Sequence, residues 1–372
     1  MKSRTLSQLV GLLALSLLVL GTSCTQEDPA LRKMDDLFTQ IWPADEPGAA
    51  VLVMKGDDII YSKGFGLATM DPVTQVDPNT FFCIASVSKQ FSGVALMKLA
   101  QEGKLSLDDS VSKFFPQFQA DFFNRITLRH LLSHTSGIPD ARPRTDRDFV
   151  YHSTDVASCA YLDTLSFLNF EPGTQYEYMN PTFQLMYTIV EKASGMPFET
   201  YMRQEIFDPA GMKEAVYFEE GRAIPRMSHG YEWNEETKQW DECDYDETTF
   251  FASKADGGLY TSVLEFAQWE RALRNYLFIS PEMTQMAHSS KIETDLPYTG
   301  YGYGWFIENK PDFPTKVFHT GDNGGYQIFA GRYPQQQILF LMFSTRNIDR
   351  EGTVEKVDQI MKEAGWLDAG AE

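Results

Sequence analysis

Cysteine is scarce, with four in 372 residues, at Cys24, Cys83, Cys159 and Cys243. Four scattered cysteines in so long a chain do not read as a disulfide framework. Cys83 sits in an apolar run and reads as a small buried hydrophobe. Histidine is also sparse, at six residues. His130 and His134 are four apart but lack the glutamate and third ligand of a hydrolytic zinc helix, so no metal is implied. Nothing points to an organic cofactor either. Basic charge is short: 32 Lys and Arg stand against 52 Asp and Glu, a formal balance of −20. That excludes nucleic acid as a partner, since a phosphate backbone needs a basic surface. It also excludes electrostatic attachment to an anionic membrane, and the acidity is read as a solvated surface. Internal repeats are missing, and so is any Gly/Ser- or Pro-rich linker that would cut off an independent domain. Long hydrophobic runs are missing too, apart from Leu9 to Leu20, which is too short to span a bilayer comfortably.

That run has the form of a leader. Lys2 and Arg4 precede it, and Gly21-Thr22-Ser23-Cys24 end it with small residues before a cysteine. It resembles a lipoprotein export signal, although Leu20 sits one place further from the cysteine than in that pattern. The resemblance implies a signal peptide over 1–23, acylation of Cys24 and a linker over 24–30. Export to a bacterial outer membrane or cell surface on a lipid anchor follows. The acidic Thr25-Gln26-Glu27-Asp28 is similar to a surface-export signal in some Gram-negative bacteria.

The remainder is rich enough in apolar residues to bury a core, 43% of the chain being hydrophobic. Leu31, Met34, Leu37, Phe38 and Ile41 have helical spacing. Strands are expected over 48–54 and 59–66 around a Gly56-Asp57-Asp58 turn, forming a hairpin. A helix should follow Ser86 and end near Gly103. Between there and Gly211 the pattern is mainly helical, clearest over 182–193 and 197–206. An exposed hairpin is expected over 229–240 with an acidic tail at 241–247, then a helix over 264–273. Strands are expected over 302–307, 316–319, 326–333 and 338–343, and a last helix over 351–364. Strands at both ends with helices between predict an α+β fold. Its antiparallel sheet is drawn from 31–85 and 265–369 and flanked by the terminal helices, with a mainly helical region over 86–264.

Three short elements carry chemistry. Ser86-Val87-Ser88-Lys89 is an S-x-x-K at a helix start, where residues three apart are neighbours and the Lys89 amine can reach the Ser86 hydroxyl. A serine hydroxyl becomes nucleophilic only when a base takes its proton, and a lysine is a base only when burial or a nearby cation strips its own. The helix N-terminus adds N–H donors beside the hydroxyl. Tyr178-Met179-Asn180 is a Y-x-N, and His319-Thr320-Gly321 precedes a glycine-rich entry to a strand. Alone, each has a plain structural alternative: a half-buried Tyr178, an Asn-Pro turn at Asn180 and Pro181, a strand residue at His319.

Together and in this order, the three resemble the signature of class C β-lactamases, penicillin-binding DD-peptidases and their family VIII-like esterase relatives. Segments 131–139 and 256–262 match as well, so the resemblance runs from about Gly48 to Asn347. It implies a β-lactamase/transpeptidase-like domain over 31–369 that performs acyl transfer through a serine ester. Ser86 would be acylated, and Lys89 and Tyr178 would share the base role. Asn180 would hydrogen-bond the lysine and the substrate amide. His319, Thr320 and Gly321 would line the substrate, with the backbone N–H groups of Ser86 and Asp322 holding the oxyanion. His134 is expected to brace a turn, Gly257 and Gly258 to make a bend beside the cleft, and the role of Asp256 is open. The substrate would be an ester, a D-aminoacyl or peptide amide, or a β-lactam, including peptidoglycan-like molecules. The chain departs from most class C enzymes at His319, where they carry lysine. An unperturbed histidine is largely neutral at pH 7, so a substrate carboxylate loses its cation there unless Arg332 or Arg346 replaces it. Substrates without a carboxylate are therefore expected to be preferred. A non-catalytic surface lipoprotein that binds cell-wall peptides or glycans is the alternative, and the presence of Ser86, Lys89 and Tyr178 counts against it.

Overall fold

The computed structural model describes residues 28–142, 146, 149, 152–219, 222–243 and 253–368. The leader and Cys24 lie outside them, as does most of the acidic tail at 241–247. No helix among the described residues is long and apolar enough to cross a membrane.

The hairpin β1 (Ala49–Lys55) and β2 (Asp58–Phe65) forms as expected, Lys55 pairing with Asp58. A short ribbon follows, β3 (Leu67–Met70) with β4 (Val73–Gln75). A three-stranded sheet joins β5 (Phe82–Cys83), β6 (Val216–Tyr217) and, later in the chain, β9 (Leu259–Thr261), in the order β5-β9-β6. The expected surface hairpin is β7 (Tyr231–Asn234) with β8 (Gln239–Glu242), so the first acidic residues of its tail belong to a strand. The last third of the chain supplies β10 (Ile292–Glu293), β11 (Thr299–Tyr301), β12 (Phe306–Glu308), β13 (Lys316–Asn323), β14 (Tyr326–Tyr333) and β15 (Ile338–Ser344). These join β1 and β2 in an eight-stranded antiparallel sheet of order β10-β11-β12-β13-β14-β15-β1-β2.

The sheet is covered on both faces, which is why its central strands are apolar at nearly every position. In β15, Leu339, Leu341 and Phe343 pack toward the helical region, while Ile338, Phe340 and Met342 pack the other way. Each such side chain is worth about 1.5–3 kcal/mol when fully buried. The outer face is closed by the helices Pro29–Ile41 and Arg350–Glu363, through Met34, Phe38, Val354, Val357 and Met361. Asp28 and Asp349 cap them by accepting from the N–H groups of Ala30 and Gly352.

Two expectations need correction. The strand expected over 302–307 is mostly a turn: residues 302–305 connect β11, which ends at Tyr301, to β12, which begins only at Phe306. Gly304 takes φ +91°, and a side chain at Gly302 would meet the Ala287 carbonyl at 2.1 Å. The strand expected over 316–319 runs on to Asn323, because Gly321 and Asp322 pair with Ile328 and Gln327 of β14.

Candidate active site

Ser86 lies on a single 3-10 turn, Ala85–Ser88, which runs into the helix Lys89–Gln101. This helix is buried on all sides, from Lys89 to Met97 and again at Leu99, so it is a core helix rather than an amphipathic one. Ala85, just before the serine, has φ +45°, a conformation non-glycine residues avoid. Hydrogen bonds to the bend at 255–259 hold it there. Ile84 N–H donates to Leu259 O at 2.9 Å, Leu259 N–H to Ser88 Oγ at 3.3 Å, and Ser92 Oγ to Ala255 O at 2.6 Å. The bend is itself tied down by buried Asp155, whose carboxylate accepts from the N–H groups of Lys254 and Ala255 at 2.7 and 3.0 Å. Nothing in the sequence around Asp155 announces that role.

The Lys89 ammonium is enclosed. It donates to Ser86 Oγ at 3.0 Å and to the backbone carbonyl of Asp256 at 2.8 Å. It also lies 5.1 Å from the ring centre of Tyr178 and 5.7 Å from that of Phe183. Burial brings its pKa down to about 8, against the opposing charge of Asp256 and with help from Arg142. The lysine can therefore be neutral close to physiological pH. The expected hydrogen bond from Lys89 to Asn180 is not formed. Nζ donates to Ser86 Oγ and the Asp256 carbonyl, and Asn180 Oδ1 is enclosed with no partner. Asp256 contributes its backbone oxygen as an acceptor, while its carboxylate, 3.4 Å from Gln184 Nε2, favours the charged lysine.

Tyr178 is half-buried, with its hydroxyl enclosed and lacking a partner at hydrogen-bond geometry. Burial holds the phenol well above its ordinary pKa, and the neighbouring Ser86 hydroxyl opposes this only in part. The resting Tyr178 is thus a protonated phenol. His134 fixes it in place: its carbonyl accepts from Glu177 N–H at 3.0 Å and its Nδ1 from Met179 N–H at 3.1 Å, so both neighbours of Tyr178 are held. The His134 ring packs 4.3 Å from the Tyr178 ring, and burial keeps it neutral. This agrees with a bracing role. Asn180 opens the helix Asn180–Ser194, with Pro181 in its first turn.

The third element lies on β13. Its partner β12 pairs only as far as Phe318, so from His319 onward that strand has β14 on one side and no strand among the described residues on the other. Gly321 presses against the serine turn; a Cβ there would lie 2.5 Å from Ile84 O and 3.1 Å from Ala85 Cβ. His319 is not open to solvent as a substrate contact would be. It is 1% exposed, donates from Nδ1 to Thr320 O at 2.6 Å, and accepts at Nε2 from the Tyr301 hydroxyl at 3.0 Å. Burial, then the charge of Lys89, pushes its pKa down to about 3. Its ring supports Tyr178 and Phe306, at 6.0 and 5.2 Å between ring centres, and carries no charge at neutral pH.

Arg332 and Arg346 do not replace the missing cation. Arg332 is buried against Glu270 at 3.1 Å. Arg346 donates to the Pro47 carbonyl, pairs with Glu46 and lies over Trp240. The cation beside the third element is Arg350, whose Nη1 lies 2.9 Å from each carboxylate oxygen of Asp322 and 3.5 Å from Gly321 O. Sequence reasoning missed Arg350, since an arginine opening a terminal helix has no distinguishing signal. No group of three or more His, Cys, Asp or Glu among the described residues is arranged to hold a metal ion. Two sizeable cavities do not include Ser86: one of about 730 Å³ lies beside Thr69 and Arg226, and one of about 510 Å³ adjoins Thr320 and Arg350. What marks the site is the Ser86–Lys89 contact, not cavity size.

The chain as a whole is similar to known proteins. Residues 34–362 match the family model Beta-lactamase. Over 332 residues the chain is 29% identical to Penicillin-binding protein 4* of Bacillus subtilis (strain 168), spanning 86% of this chain and 73% of that protein. It is 27% identical over 310 residues to Protein flp of Staphylococcus aureus (strain MW2), spanning 81% of this chain and 60% of the relative's length. The octameric penicillin-binding protein homologue from Pyrococcus abyssi has the same fold, with a TM-score of 0.76 at 27% identity, over 90% of this chain and 77% of that one. A match that spans nearly the whole described chain, on a sheet and helices arranged alike, places this chain in the beta-lactamase family of serine hydrolases.

Proposed function

We propose that this chain hydrolyses an ester or amide through an acyl-enzyme on Ser86. The observation that carries this is the 3.0 Å contact between Ser86 Oγ and a buried Lys89 whose pKa is near 8. Neutral Lys89 takes the Ser86 proton as the Oγ–carbon bond forms and the carbonyl electrons move onto oxygen. Backbone N–H groups of Ser86 and Asp322 stabilise that oxygen. Collapse breaks the bond to the leaving group, which receives the proton from Lys89 through the Tyr178 phenol. Water then attacks the acyl ester, giving its proton to the same pair; as the Oγ–carbon bond breaks, that proton is returned to Ser86 Oγ and the acid product leaves.

The neutral His319 favours substrates without a carboxylate near the third element, such as simple esters or D-aminoacyl amides. The Bacillus subtilis relative is by name a penicillin-binding protein, which keeps β-lactams and peptidoglycan-like peptides within the range to be tried. The test is covalent labelling with a fluorophosphonate probe, followed by mass spectrometry of the Ser86 peptide. An adduct on Ser86, formed faster as pH rises through about 8, is the expected result. A chain that takes no label and cleaves no ester, amide or lactam would instead be the non-catalytic binder.

For its location we propose anchoring through an acylated Cys24, on the pattern of residues 1–24. The mature N-terminus is expected to be a lipid-modified Cys24 and the protein to sediment with membranes. An unmodified N-terminus at another residue, read by mass spectrometry, would refute this.

A further inference from the structure

Asp322 follows Gly321 on the open edge of β13, and its side chain is 56% exposed. Both of its carboxylate oxygens lie 2.9 Å from Arg350 Nη1. The Arg350 side chain is only 12% exposed and is held further by Glu351 at 3.2 Å from Nε and by Gly321 O at 3.5 Å. The guanidinium beside the third element is therefore already occupied by a carboxylate of the chain itself. With its carboxylate side open to solvent, the pair contributes little to stability. Its consequence is electrostatic: a substrate carboxylate lying along this edge would meet the negative Asp322 before the positive Arg350. His319, neutral and enclosed, offers it nothing.

We propose that Asp322 masks Arg350 and so determines specificity, excluding substrates whose leaving group carries a carboxylate. This rests on the serine-hydrolase reading above and narrows its substrate class to leaving groups that are uncharged or cationic. D-aminoacyl amides and neutral esters fit; peptides ending in a free carboxylate next to the scissile bond do not.

Two esters of one acyl group decide it, one with 3-hydroxybenzamide and one with 3-hydroxybenzoate as the leaving group. They differ only in a carboxylate. Wild type should favour the benzamide ester in kcat/KM by about tenfold or more, and the preference should shrink as salt screens the repulsion. Asp322→Asn keeps the backbone N–H and should shift the benzoate-to-benzamide ratio by about tenfold toward benzoate, chiefly through KM. Adding Arg350→Ala to that variant should return the ratio toward the wild-type value. A ratio unchanged in Asp322→Asn, or a gain that survives the loss of Arg350, overturns the masking. If Asp322→Asn does not fold, the wild-type ratio and its salt dependence decide, and a wild type indifferent to the carboxylate overturns it. Turnover that is abolished by Ser86→Ala but indifferent to Asp322 refutes this inference alone. Absence of any Ser86-dependent turnover refutes the hydrolase reading, and this inference with it.

Discussion

Lys89→Met is expected to abolish turnover as fully as Ser86→Ala does, by about four orders of magnitude or more, while raising thermal stability at neutral pH. Activity falls because the group 3.0 Å from Ser86 Oγ can no longer accept its proton. Stability rises because an ammonium is removed from a fully enclosed position. The lysine pKa falls from 10.5 in the unfolded chain to about 8 in the folded one. The folded state therefore binds its proton less tightly, and unfolding takes up a proton between those two values. At 1.36 kcal/mol per unit, the buried lysine costs about 3 kcal/mol of stability below pH 8, and the cost fades as pH rises toward 10.5. Met fills a similar volume without charge, but it leaves the Asp256 carbonyl without its 2.8 Å donor, which takes back about 1 kcal/mol. A net gain of about 1–3 kcal/mol, or a few degrees in Tm, should remain at pH 7 and shrink above pH 10. In wild type the same pKa should appear as an ascending limb of kcat/KM near pH 8. Melting curves of wild type and variant across pH, beside their kinetics, check both halves. A Met variant that melts lower at pH 7 would mean that the lysine is not held against its charge.

Gly321→Ala should lower kcat/KM by about 10²- to 10³-fold and destabilise the fold by about 1–3 kcal/mol. The added Cβ would lie 2.5 Å from Ile84 O, a backbone atom that cannot swing aside. That oxygen accepts the Val87 N–H at 3.1 Å and so closes the turn that carries Ser86. Ile84 N–H is in turn bonded to Leu259 O. Relief must come from shifting either β13 or the serine turn, and each moves the nucleophile relative to the strand edge. Because Ser86 keeps its hydroxyl and Lys89 its amine, fluorophosphonate labelling should slow rather than vanish. Kinetics and melting temperature together test this, and near wild-type values for both would show that β13 does not press on the turn as described.

Local chemistry makes much of the site legible in the sequence. Ser86 and Lys89 need only a three-residue spacing at a helix start, since a helix turns spacing into contact without outside help. The terminal helices and the strands at 326–333 and 338–343 are legible because periodicity and burial are written along a short stretch of chain. Where a strand ends is not: β13 runs past Thr320 because β14 supplies partners, and β11 separates from β12 because Gly302 meets the distant Ala287. Neither neighbour can be seen from the segment itself.

Charge states and hydrogen-bond partners are decided by tertiary structure alone. The type of residue at 319 is plain in the sequence, and so is its difference from lysine. Its neutrality comes from enclosure by Tyr178, Tyr301 and Phe306, side chains from two other parts of the chain. Lys89 meets the Asp256 carbonyl instead of Asn180 because the bend at 255–259 folds over its helix, held by Asp155 from about a hundred residues away. Arg350 meets Asp322 only because the last helix packs beside β13. A sequence names the groups that can ionise or donate. Desolvation and distance, which set whether they do, are sums over atoms that only the folded chain brings together.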